Sequence, residues 1–210
     1  RKVVMSVTGV ALVLFLTFHM SMNIVALFSE KGYNMICEFL GANWYAVVAT
    51  LGLGALTVAH IVYAFILTAQ NRRARGNERY AVTSRHEKVE WASQNMLVLG
   101  IIIALGLVLH LYNFWYSMKF HPADGFAYIR ETFSNPVYVV LYIVWLVAIW
   151  FHLSHGFWSA MQSLGVSGKV WFNRWKAIGL AYTTLLMLGF LIVVLAFAFG
   201  CAPSLCACCA

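Results

Sequence analysis

Charge is what this chain has least of. Only 10% of its 210 residues are charged, seven are acidic, and 62% are hydrophobic, whereas soluble domains run to roughly a quarter charged and half apolar. The shortage excludes a water-soluble globule, which would expose much of that apolar surface. It indicates an integral membrane protein, whose helices need about 20 apolar residues each. Strict apolar/polar alternation is also missing, which excludes the strands of a membrane barrel.

What is present is five apolar segments, at 3–28, 43–69, 91–118, 136–164 and 170–199. No water satisfies backbone groups in hydrocarbon, so segments this long are predicted helical. The expected fold is all-α: a five-transmembrane-helix bundle forming a single membrane domain over 1–210. The first segment exceeds a signal-peptide core and is expected to be a retained span, with a short stretch expected to precede Arg1.

Basic residues set an orientation. Arg1, Lys2, Arg72, Arg73, Arg75, Arg79, Arg85, Lys88, Lys169, Arg174 and Lys176 fall on one side; Lys31, Lys119 and Arg130 fall on the other. The positive-inside rule then puts the N-terminus in the cytoplasm and the C-terminus outside. The net charge of +7 is thus mainly a topology signal, better suited to a docked cytoplasmic partner than to nucleic acid.

Against this background four histidines stand out, His19, His60, His110 and His155, one in each of the first four segments. Ionisable side chains inside a membrane are costly and mark functional sites. At about 1.5 Å per residue, His19 and His110 fall nearer the outer surface and His60 and His155 nearer the cytoplasm, the two levels roughly 10 Å apart. Two haems, each held by one imidazole above and one below, would use such a set. The expected pairs are His19 with His110 and His60 with His155, in a bundle enclosing both haems.

Small residues near these ligands, Gly106, Gly156, Ser159 and Gly52, offer room for a porphyrin, although small residues also serve simple helix approach. His152, three residues before His155, is an alternative ligand, a partner for a haem propionate or a packing residue. His86 and His121 fall in connections and read as solvated. No CxxCH for covalent haem attachment occurs, nor any flavin or iron-sulfur signature.

Three stretches carry a family resemblance: residues 2–19 (KVVMSVTGVALVLFLTFH), the LHLYNFW around His110, and FHLSHGFWSAMQSLG at 151–165. They resemble the type B, dihaem (b558-type) cytochrome b membrane-anchor subunits of succinate dehydrogenases and fumarate reductases. The resemblance implies two haem b groups, the proximal one on His60 and His155 and the distal one on His19 and His110. It further implies a flavoprotein subunit carrying FAD and an iron-sulfur subunit as partners, docked near residues 72–88. Electrons would pass to a quinone, menaquinone in the implied reading, with succinate chemistry confined to the partners. The setting is the bacterial cytoplasmic (inner) membrane, in respiratory complex II. Dimerisation of the whole complex is left open.

One departure stands out. The proton-compensating fumarate reductases of this family carry a glutamate two residues before the helix-four ligand, where this chain has Leu153. That favours succinate oxidation over fumarate reduction.

Candidates for a quinone site are Glu38, Lys31 and Asn113, with Glu30, His121 and Arg130 nearby. Glu38 ranks first: it lies in the apolar run MICEFLG, and a carboxylate beside a quinone oxygen can exchange the proton that accompanies reduction. Trp44, Tyr45, Trp91, Trp115, Tyr116, Trp171 and Trp175 read as an interfacial belt. Cys37, Cys201, Cys206, Cys208 and Cys209 all fall on the expected outer side, where disulfides persist. Rival readings are a dihaem anchor of a hydrogenase or formate dehydrogenase and a transporter, though transporters characteristically break their helices at the binding site.

Overall fold

The computed structural model describes residues 2–75, 91–120 and 124–206. Arg1, Arg79, Arg85, His86, Lys88, His121, Cys208 and Cys209 lie outside them. Among the described residues the chain is helical throughout. The elements are α1 (Lys2–Phe28), α2 (Glu30–Ala42), α3 (Trp44–Arg75), α4 (Trp91–Gln94), α5 (Met96–His110), a π-helical segment (Leu111–Tyr116), α6 (Ser117–Phe120), α7 (Gly125–Ser134), α8 (Pro136–Ser163), α9 (Lys169–Ala198) and α10 (Pro203–Cys206). Five stretches are long and apolar enough to cross a membrane: α1, α3, the run from α5 through α6, α8, and α9 with its C-terminal continuation. The chain is a multi-pass helical membrane protein.

Local chemistry places the ends of the elements. Asn135 caps α8, its side chain accepting from the Val137 N–H at 2.9 Å, while Pro136 occupies the first turn, where a missing donor costs nothing. At the other end Gly165 takes φ +80°. Val166 N–H then reaches back to Met161 at 3.1 Å and Gly165 N–H to Gln162 at 3.2 Å, closing a Schellman cap. Gly200, at φ +67°, ends α9 in the same way, with Cys201 N–H on Ala196 at 2.8 Å.

The packed core runs along α1, α8 and α9, where Leu146, Ile149, Leu153, Leu186, Met187, Val193 and Val194 are buried together. The hydroxyl of Thr183, fully enclosed, turns inward to the Gly179 carbonyl of its own helix, and Thr17 of α1 is hydrogen-bonded to Tyr182 of α9. By contrast, no residue in the most apolar stretch of α3 is buried. Its Leu51, Val58 and Phe65 face outward, a lipid-facing surface in a bilayer.

The connection at 29–42 and the described part of the second outer connection are themselves helices. Ser29 caps α2 by accepting the Gly32 N–H at 3.0 Å. Phe126 at the start of α7 donates its N–H to Asn34 Oδ1 of α2 at 2.9 Å. Ser204 of α10 donates to the Ala26 carbonyl of α1 at 2.7 Å. Together α2, α7 and α10 close one end of the bundle.

Candidate functional site

The histidines meet in two pairs at two levels. In the first, His19 of α1 faces His110, the last residue of α5, with ring centroids 5.7 Å apart and planes at 86°. Phe15 stacks on His19 at 5.4 Å one turn earlier. Phe114, Trp145 and Tyr142 surround His110 at 5.1, 5.5 and 6.2 Å. The Nδ1 atom of His110 is buried without a hydrogen-bond partner.

In the second pair His60 of α3 faces His152 of α8, centroids 6.3 Å apart and planes at 68°. His152 Nδ1 is likewise buried and unpartnered. The structure therefore brings His60 to His152 and not to the expected His155. Three residues along a helix rotate a side chain by about 60° and advance it by about 4.5 Å. That carries His155 toward the start of α9: its ring lies 4.8 Å from Trp158, which packs on Phe172 at 5.3 Å and beneath Lys176 Nζ at 4.6 Å.

The vertical spacing also exceeds the sequence expectation. His60 rests on Thr8 and Gly9 of α1, ten and eleven residues from His19, which is about 15 Å of helix. The hand of each helix crossing decides such offsets, and residue counts from span ends cannot register it.

Of the small residues expected to make room, Gly52 and Gly156 do border open space, with no neighbour within 4 Å of a Cβ built on either. Gly106 has another task. A Cβ there would overlap the indole of Trp145, whose Nε1 donates to the Ile103 carbonyl at 3.0 Å.

Among the described residues no group of three or more His, Cys, Asp or Glu side chains converges as a metal centre. A haem asks for less. Its porphyrin supplies the equatorial nitrogens, and the protein supplies at most two axial ligands. Two metal–imidazole bonds of about 2 Å each, plus the ring radii, put centroids about 6 Å apart, which both pairs approach. Buried ring nitrogens without partners are rare unless a bound group satisfies their surroundings. The donor set fits two bis-imidazole haems.

The quinone candidates separate. Glu30, Lys31 and Glu38 line one cavity of about 680 Å³ at the closed end of the bundle, together with Asn34, Asp124 and Ser204. Glu38 is exposed there, not enclosed by the apolar run around it. Asn113 lies elsewhere: the π-helical segment turns it inward, buried, where its Nδ2 donates to Tyr142 Oη at 3.3 Å. Arg130 is exposed on α7.

Beside the cavity, Cys37 contacts Tyr33, and burial pushes both the thiol and the phenol above their ordinary values, the Tyr33 hydrogen bond opposing the rise at Cys37. Cys37 and Cys201 are free thiols.

Five apolar spans and two facing imidazole pairs define a helical membrane protein with a candidate dihaem centre. Comparison with protein families, with curated proteins and with solved structures finds no match.

Proposed function

We propose that this chain is the dihaem cytochrome b anchor of a succinate:quinone oxidoreductase. The carrying observation is the meeting of His19 with His110, from helices far apart in sequence, at the separation a shared iron requires. The inner pair is taken from the geometry as His60 with His152. Haem b held by each pair supplies a one-electron couple.

The chain's own residues do the rest. Four helices hold imidazoles in fixed orientation, and the aromatic shell of Phe15, Phe114, Tyr142 and Trp145 excludes water, keeping the local dielectric low. Neither register on α8 offers a proton-carrying carboxylate: Leu153 is buried in the core, and Trp150, two residues before His152, spends its Nε1 on Thr184 Oγ1 at 3.0 Å. This supports succinate oxidation as the working direction.

In this reading the iron-sulfur subunit docks at the cytoplasmic end, near exposed Arg72 and Arg73, and the flavoprotein subunit sits beyond it. Menaquinone exchanges near the cavity at Glu38, Lys31 and Glu30. His19 lies nine residues before the end of α1, about 14 Å below that cavity.

A reduced-minus-oxidised spectrum of the purified complex, calibrated by haem extraction, tests the proposal. Two b-type haems per chain are expected, with His19→Leu or His110→Leu removing one and His152→Leu the other, while His155→Leu keeps both. One haem per chain, or none, overturns it. Retention of both haems in His152→Leu with loss in His155→Leu would return the inner ligand to the position expected from sequence.

A further inference from the structure

Thr8 holds a position that packing alone does not account for. It is buried in α1 at 5% exposure, and its Oγ1 lies 3.0 Å from the Val4 carbonyl, 3.0 Å from the Met5 carbonyl and 3.1 Å from His60 Nδ1. A hydroxyl has one proton to give. Carbonyl oxygens only accept, so that proton goes to the backbone of α1, leaving a lone pair on Oγ1 directed at the imidazole. His60 must then carry its proton on Nδ1 and donate it to Thr8, which leaves the Nε2 lone pair free.

The neighbouring residue serves the same contact. A Cβ on Gly9 would stand 3.4 Å from His60 Cε1 and 3.9 Å from Nδ1, so the ring lies in a notch that a larger side chain would close. Thr8 and Gly9 together hold the ring of a residue 52 positions away in sequence. No such partner exists for Nδ1 of His110 or of His152, both buried and unpaired.

We propose that Thr8 is a positioning residue for His60: it fixes the Nδ1–H tautomer, presents Nε2 as the ligating atom, and makes the imidazole a more basic ligand by accepting its N–H. This rests on the dihaem reading above. Histidines that ligate metals characteristically donate their other N–H to a fixed acceptor, which orients the ring and raises its basicity. A more basic axial ligand favours the oxidised iron. Thr8 therefore lowers the midpoint potential of the haem at His60, and the other level lacks this device at His110.

The test is a spectroscopic redox titration of the purified complex bearing Thr8→Val, which keeps the branched shape and removes the oxygen, beside Thr8→Ser, which keeps the oxygen. In Thr8→Val one midpoint should rise while the other stays; Thr8→Ser should restore the wild-type value. If Thr8→Val loses the inner haem altogether, retention at the wild-type midpoint in Thr8→Ser supports the hydroxyl's role. Loss or an equal shift in both variants overturns it. Two haems with both midpoints unmoved in Thr8→Val also overturn the inference and leave the dihaem reading standing. Absence of haem from the unaltered complex ends both.

Discussion

At the scale of single residues, the histidines show how far a rotation of one side chain matters. His152 and His155 stand on one helix within one turn, yet only His152 faces His60 across the bundle, while His155 packs with Trp158. The sequence makes both available; choosing between them needs the phase of α8 relative to α3. Cys37 is the other residue whose surroundings set its chemistry. Its thiol value is raised by burial beside Tyr33, and only the thiolate reacts with alkylating reagents. Because the shift is upward, the thiolate appears only at more alkaline pH than for an ordinary cysteine. Maleimide labelling followed by mass spectrometry should show slow modification of Cys37 that accelerates above the usual thiol range, and Tyr33→Phe should alter that profile. Rapid labelling at neutral pH would contradict the enclosed geometry.

At the scale of elements, the spans were legible and their neighbours were not. Long apolar runs fix α1, α3, α8 and α9 to within a few residues, because hydrocarbon leaves no alternative to a helix. The third span reads as one segment but contains a break at Asn95 and the π turn after His110, since hydropathy carries no record of hydrogen-bond register. Helices α2 and α7 were read as connections. Their amphipathic composition and the Ser29 cap were the available signals. Gly106 shows the same limit: its smallness was visible, but the indole it accommodates comes from α8. Gly106→Ala should therefore lose about 1–3 kcal/mol through overpacking, because the Nε1 bond to Ile103 restrains Trp145 from yielding. A lowered melting temperature of the detergent-solubilised complex would register it, whereas Gly52→Ala, which meets open space, should leave that temperature unchanged.

At the scale of the whole molecule, the two imidazole levels lie along the bundle axis, and the distribution of basic residues gives that axis a direction. Electrons entering at the cytoplasmic level and leaving at the outer one would move down the membrane potential, gaining about 2.3 kcal/mol per electron per 100 mV. Succinate oxidation by menaquinone in sealed, energised vesicles is accordingly expected to slow when an uncoupler is added. A rate indifferent to the uncoupler would remove the transmembrane direction from the proposal and leave the ligand pairs untouched. Pairing across the bundle was partly readable, because an odd-numbered and an even-numbered span enter from opposite sides. The spacing of the levels was underestimated, since it depends on where α3 crosses α1, and that crossing is set at Thr8 and Gly9.

The π turn at Leu111–Tyr116 has a mechanical reading as well. Such a turn holds one residue more than the helix rise needs, a splice that absorbs surplus chain between His110 and the α6 carbonyl at Ser117, to which Tyr128 of α7 donates at 3.1 Å. Excising a single residue there would regularise the coil and swing everything beyond it by about 100°, so the irregular turn works as a phase adjuster between the ligand below it and the capping helices above.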